Sequence, residues 1–290
     1  MADRSTRPAP LPIMHVPVLT YHAVNIAGND YADNDHVAFA EDLRLIDDLG
    51  LRVIPLQWVV DQLLGRAQRD LSRCVALSCD DGPNLDFHDV VHPVHGAQRS
   101  LFNCMADFVA ERGPDRQPQL HLTAFVIASP DARRHIDRGA LFGLDWMGED
   151  WWPLAQRSGR IAIENHSWDH NHADVPGPGA DGMARGSFLA VDNRVRADAE
   201  IAEAGRYIDA RLAPQRTRLF CYPFGHIPDY VHREYLPRHG DVHGIEAAFS
   251  DGACPVGHGA DRWNLPRYIC GWHWKSPQAL QAILQDATRT

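Results

Sequence analysis

The chain has 290 residues, 44% of them hydrophobic and 23% charged, which is enough apolar material for one sizeable core and requires no oligomer, whose existence is left open. Its formal charge of −10, with no long run of Lys or Arg, has the wrong sign for a phosphate backbone or an anionic membrane surface, so nucleic acid is set aside as a partner. Pro8, Pro10 and Pro12 fall where a signal peptide needs an unbroken apolar stretch, and no run is long enough to span a membrane; a cytoplasmic location is the default expectation.

Residues 1–15 read as a flexible lead-in, and 16–290 as one domain. Along it, short apolar runs alternate with helix-like stretches, the pattern of a parallel α/β sheet or barrel with crossover helices. The first strand is expected at Val16–Thr20. Phe39, Leu43, Ile46 and Leu49 then share one helical face, and Gly50 follows where a helix C-terminus favours glycine. Strands at Arg52–Ile54 and Val75–Ser78 flank a helix at Leu56–Leu64. Residues 84–98, with Asp86, His88, Asp89, His92 and His95, form a polar excursion expected on the substrate side, and a helix over Arg99–Glu111 succeeds it. Strands at Leu122–Ile127 and Arg160–Glu164 come next. Residues 173–190 contain Pro176-Gly177-Pro178-Gly179, which propagates neither helix nor central strand, so a loop is expected. The longest helix, Val191–Leu212, leads to strands at Leu219–Cys221, Ala247–Phe249 and Tyr268–Ile269 and to a closing helix at Pro277–Thr290.

Six cysteines are scattered without a C-x-x-C pair, so neither a disulfide framework nor a thiolate metal site has local support. Cys79 and Cys221 read as small buried apolar residues. Histidine, at 17, is the unusual count, and spacing has to separate ligands from bystanders.

Three segments carry chemistry. Val75–Ser78 runs through Cys79 into Asp80-Asp81-Gly82-Pro83. Two carboxylates at a strand exit can divide labour, one binding a cation and the other accepting a proton from water; the same residues also make an ordinary polar turn. In His166-Ser167-Trp168-Asp169-His170 the i, i+4 spacing puts both imidazoles on one face if a helical turn begins there, and two imidazoles with one carboxylate leave open positions on zinc. A pair of helix-surface histidines has the same spacing. His172, at i, i+2, is expected to point away. Finally, Leu219-Phe220-Cys221-Tyr222-Pro223-Phe224-Gly225 is an apolar strand ending in a turn, able to present a backbone N–H to an oxyanion.

Together these segments resemble the polysaccharide deacetylase family, also called the NodB-homology or carbohydrate esterase family 4 domain. Asp80-Asp81-Gly82-Pro83 resembles its Asp-Asp-Gly-Pro motif, His166-Ser167-Trp168-Asp169-His170 its His-Ser/Thr-x-x-His motif, and Tyr222-Pro223-Phe224-Gly225 its Pro-Tyr-Gly turn. The resemblance, over roughly Val16 to Ile269, implies an irregular (β/α) barrel with the site at the strand C-termini. It further implies Asp80 as general base, Asp81, His166 and His170 as ligands of one divalent ion, expected to be Zn2+, and the Phe224 N–H as oxyanion donor. Two departures stand out. Many members carry an Arg in the third motif that orients the base, where this chain has Cys221, and Arg267 is the candidate substitute. Many also draw a general acid from a Leu-x-His motif near the C-terminus, which nothing after Arg267 matches. A branch resembling the poly-N-acetylglucosamine deacetylases has permuted motifs with that histidine on the first strand; Pro17-Val18-Leu19-Thr20-Tyr21-His22 is similar to it. His22 is therefore the expected general acid, ahead of His273. The implied reaction is hydrolysis of an N-acetyl group on a sugar or glycan. Hydrolysis of a non-carbohydrate amide is a second reading. A non-catalytic glycan-binding protein with a vestigial metal site is a third, against which the intact Asp80 counts.

Overall fold

The computed structural model describes residues 14–287. Residues 1–13 of the expected lead-in, and the last three of the expected closing helix, lie outside the described residues; Met14 is already buried and His15 already paired in β1 (His15–Val16). The centre is an eight-stranded parallel sheet, in the order β10-β9-β8-β7-β4-β2-β12 with β3 beside β4. Its members are β2 (Val18–Tyr21), β3 (Arg52–Ile54), β4 (Cys74–Cys79), β7 (Leu122–Val126), β8 (Ile161–Asn165), β9 (Leu219–Cys221), β10 (Ala247–Phe249) and β12 (Tyr268–Ile269). Each coincides with an expected strand to within one or two residues.

Why these runs form central strands shows in their side chains. Val75, Leu77 and Cys79 of β4 pack in one apolar cluster with Leu19 and Tyr21 of β2 and with residues of α1 (Asp35–Asp48), α3 (Leu101–Arg112) and α10 (Pro277–Ala287). The alternate positions, Cys74 and Ala76, join Val18, Phe125, Leu219, Cys221 and Phe249 in a second cluster. A strand apolar at successive positions is thus buried on both faces, as a parallel sheet between two layers requires. The ends of the sheet curl toward each other. Leu265 makes a parallel bridge to Phe249 of β10, and four residues later Ile269 pairs with Thr20 of β2. The segment 265–269 therefore spans the gap between the two ends of the sheet, giving the irregular barrel.

The connecting helices are α2 (Leu56–Leu63), α4 (Pro130–Ala140), α5 (Trp152–Ser158) and a long helix over 194–212, besides α1, α3 and α10. The long helix comprises α6 (Arg194–Ala197), a π-helical segment at Asp198–Ala202 and α7 (Glu203–Leu212). Helix α1 begins four residues before the apolar stripe, because the Asn34 side chain accepts the N–H groups of His36 and Val37. The excursion at 84–98 is partly regular: β5 (Val90–His92) and β6 (Gly96–Gln98) form an antiparallel hairpin. There the His92 ring accepts backbone N–H groups from Val94 and His95. A short β11 (Val256–Gly257) pairs with β1. Two small helices, α8 (Leu236–Arg238) and α9 (Gly240–His243), precede β10. No helix among the described residues is long and apolar enough to cross a membrane.

Candidate active site

The polar residues gather at the C-terminal ends of the strands, where a parallel barrel leaves backbone and loops free for chemistry. Strand alternation aims Asp80, like Ser78 and Ala76, to the barrel interior, where the Ser78 hydroxyl meets Thr20 Oγ1 at 2.8 Å. Asp80 is 4% exposed. Arg267 reaches it from the segment that closes the sheet: Nη1 donates to Oδ1 at 2.7 Å and Nη2 to Oδ2 at 2.8 Å. This is the planar two-point geometry in which guanidinium and carboxylate match best. Burial alone pushes the Asp80 carboxyl up, but the Arg267 guanidinium, helped by His166 and His22, holds it well below the usual carboxylate range. Cys221, standing where the family has its arginine, lies 2.9 Å from Arg267 Nη2 and 3.5 Å from Asp80 Oδ2. A thiol there is too short to be the clamp itself, so the guanidinium comes from another strand. His22 follows β2 and places Nε2 3.8 Å from Asp80 Oδ2, while its backbone N–H donates to Asp35.

Asp81 turns the other way. Its φ of +73° puts it in the left-handed region, and Gly82 after it has the same sign. A Cβ on Gly82 would lie 2.5 Å from Val126 Cγ1, so only glycine lets the turn press against β7. The Asp81 carboxylate Oδ1 stands 3.7 Å from His166 Nε2 and 3.8 Å from His170 Nε2. The expected helical turn is absent. Residues 166–170 form a tight non-helical turn, with Ser167 and His170 at positive φ. The two imidazoles converge through that reversal, their centroids 4.8 Å apart. The turn is fixed from several sides. Ser167 N–H donates to Asn165 Oδ1, His170 N–H to Ser167 Oγ and Trp168 N–H to the Glu200 carbonyl, which the π-helical segment brings close. Because this is not a helix, the expectation for His172 fails as well: its side chain lines the cavity rather than pointing away.

These three side chains fit a cation. Their donor atoms lie within 4.8 Å of one another. His166 Nδ1 faces the Cys221 carbonyl at 2.9 Å; since a carbonyl only accepts, that nitrogen carries the proton and Nε2 keeps its lone pair toward Asp81. Burial, with His166 and His172 close by, holds His170 well below the ordinary imidazole range, so it is neutral and able to ligate. Its Nδ1 is buried without a hydrogen-bond partner in the structure. A second grouping, Asp80, His166 and Cys221, shares one member, but there Asp80 is already engaged by Arg267. The set built on Asp81 has the better claim.

The loop at 173–190 is laced to this turn. Arg185 donates to Asp169 at 2.6 Å, and Asn171 donates to the carbonyls of Ala184 and Ser187. Phe224, at φ +59°, lays its ring edge-on to His170 with centroids 4.2 Å apart. Four non-glycine residues of the site, Asp81, Ser167, His170 and Phe224, thus hold positive φ, a concentration of backbone strain typical of functional sites. His273 accepts the Ile269 N–H through Nδ1 and does not line the cavity. Asp251, which the motifs did not single out, does line it and packs against Gly225. Its signal was present: like Asp80 it is a carboxylate just beyond the end of a buried strand.

Asp80, Asp81, His166, His170, His22, Arg267, Phe224 and Asp251 open into one cavity of about 380 Å3. Residues 116–240 match the family model described as polysaccharide deacetylase. No curated protein sequence matches the chain. Among solved structures the fold resembles IcaB from Ammonifex degensii, at 18% identity and a TM-score of 0.62, over 95% of this chain and 98% of that one. It also resembles the Streptococcus pyogenes deacetylase PplD, solved with acetate, at 15% identity and 0.60, over 95% and 99%. The deacetylase domain of BpsB from Bordetella bronchiseptica is similar at 16% identity and 0.56, over 91% and 98%.

Proposed function

We propose that this chain, whose residues 116–240 match the polysaccharide deacetylase family model, hydrolyses the N-acetyl group of an amino sugar in a glycan or glycoconjugate and releases acetate. The observation that carries the reading is one cavity holding a guanidinium-clamped carboxylate, Asp80, beside a three-donor set, Asp81, His166 and His170. Two imidazoles and one carboxylate suit one divalent cation, zinc by donor type. Such an ion would supply Lewis acidity toward the amide carbonyl and toward water.

The chain's own contributions follow from position. Asp80, ionised at neutral pH, accepts the proton of the attacking water; Arg267 fixes the plane of the carboxylate, so one oxygen faces the cavity throughout. The Phe224 backbone N–H donates to the oxygen on which negative charge develops. His22, 3.8 Å from the Asp80 carboxylate, stands where it can give a proton to the nitrogen as the C–N bond breaks, leaving a free amine and acetate. A histidine arriving from β2, ahead of the carboxylate pair in sequence, is what a permuted motif order requires. The test is acetate release from a panel of N-acetylated sugars, comparing zinc-loaded wild type with Asp80→Asn and His166→Ala. Release that needs both residues supports the reading. Stoichiometric zinc with no release from any sugar sinks it and transfers the proposal to a non-carbohydrate amide.

A further inference from the structure

The cavity has more room than an acetyl group needs, and its walls are of unequal chemistry. Away from Asp80, Asp81, the two ligand histidines, His22 and Arg267, the polar side chains on its lining are few. They are His172, Asp251 and Tyr222, and the Tyr222 hydroxyl is already committed to the Trp263 carbonyl. Apolar side chains stand on two sides, Val24, Ile269 and Trp272 toward β2 and β12 and a larger group toward β7. Ile127 lies just past β7, Ile136 and Ala140 are on α4, and Leu141 and Met147 come from the segment after it. Beyond them a recess of about 230 Å3 shares Val24, Ala140 and Leu141 with the cavity; Trp146, His92, His95 and Phe142, a residue 56% exposed, also line it.

Sheet order says which end of the substrate meets this wall. β4, carrying Asp80 and Asp81, lies between β2, which delivers His22, and β7, which delivers Ile127. An amide with its carbonyl over Asp81 and its nitrogen toward His22 therefore directs the acyl substituent to the β7 side, onto Ile127, Ile136 and Met147. We infer that the site accepts N-acyl groups longer than acetyl, an unbranched chain lying along Ile127, Ile136, Met147 and Leu141 toward Phe142. The amine half of the substrate, an amino sugar, stays on the side of His22 and Asp251. This inference rests on the hydrolase reading above and extends its substrate class from N-acetyl to N-acyl amino sugars.

The test uses zinc-loaded full-length protein and a series from N-acetyl- through N-butanoyl- and N-hexanoyl- to N-octanoylglucosamine, with released glucosamine measured as free amine. Burial of each added methylene in the recess predicts kcat/KM rising roughly tenfold for every two methylenes until the recess is full. Ile136→Trp, which fills the wall, is expected to bring the ratio of hexanoyl to acetyl turnover down to about one. If that variant does not fold, Leu141→Phe is read in the same way, and the wild-type series stands without either. A flat or falling wild-type series, with acetyl hydrolysis intact, overturns the acyl recess and leaves the deacetylase reading standing. An unchanged chain-length profile in the filled variants also overturns it, as does a gain seen with octyl glycosides of N-acetylglucosamine and not with longer acyl groups. No glucosamine from any member of the series, in wild type and Asp80→Asn alike, removes the hydrolase reading itself.

Discussion

The two halves of the site, built on adjacent carboxylates, are finished to different degrees. Around Asp80 every charge has its partner within the protein: both oxygens accept from Arg267, and the guanidinium is further held by the Ser250 carbonyl. Around Asp81 two imidazole nitrogens stand at 3.7 and 3.8 Å, beyond hydrogen-bonding reach. One carboxylate has its cation within the fold, and the other stands in a donor set whose geometry fits one. Position alone separates them, since one residue along a strand exit reverses the side-chain direction.

The comparison is broken most sharply at Asp80. Asp80→Asn should lower kcat/KM for an N-acetylated sugar by about a thousandfold, within the usual range for loss of a general base, while zinc stoichiometry stays at the wild-type value. Loss of zinc in that variant would make Asp80 a ligand and erase the distinction. Next comes the clamp. Arg267→Met leaves a buried carboxylate without its cation and should cost about 3–5 kcal/mol in denaturant unfolding, and adding Asp80→Asn to it should recover most of that loss; a double variant no more stable than the single one would show that Arg267 acts by packing.

A smaller effect is expected on the unfinished side. Asp169 touches neither carboxylate but accepts from Arg185 and from the Asn171 N–H, holding the ligand turn in place. Asp169→Ala should weaken zinc binding about tenfold, read by competition with a chelator. Unchanged affinity would mean that the turn is rigid without the 173–190 loop.

The smallest effect concerns another buried carboxylate, Asp42, which has hydrogen-bond donors but no cation. Burial pushes it up to about 7, against the opposing effect of hydrogen bonds from Tyr31, Tyr21 and Trp274. Between the ordinary aspartate range and pH 7 the folded state then binds a proton that the unfolded state has released. Its stabilising contribution is complete at low pH and declines as pH rises toward 7, with a slope of at most about 1.4 kcal/mol per pH unit. Unfolding midpoints from pH 5 to 8 should show wild type losing its advantage over Asp42→Asn as pH rises. A constant difference would mean that the three donors suffice to keep Asp42 ionised.

How much of this could be read in the sequence varied with how local the signal was. The strands of the central sheet were legible because burial on both faces demands unbroken apolar runs, and the run into Asp80-Asp81 marked the site. Helix α4 was missed because its sequence, Pro130-Asp131-Ala132-Arg133-Arg134 onward, is mostly charged and its apolar stripe narrow. Ser129 and Pro130, a cap and a first-turn proline, were the signals to use. His166 and His170 were expected side by side and do converge, yet for another local reason: i, i+4 spacing suggested a helix, whereas positive φ at Ser167 and His170 folds the segment back. Backbone reversals of that kind in non-glycine residues leave no mark in composition. Asp251 carried a visible signal that was not used, a carboxylate past a buried strand, and only the curl of the sheet brings it to the cavity.

That curl also sets an order of events. Asp80 and Arg267 are 187 positions apart, and the guanidinium rides on the short segment that joins the two ends of the sheet. Without that segment docked, the Asp80 carboxylate lacks its guanidinium, and an ionised carboxylate without a cation is costly to bury. The ion pair between Asp80 and Arg267 is in this sense also a latch, and the pocket is complete only in molecules whose two ends have met.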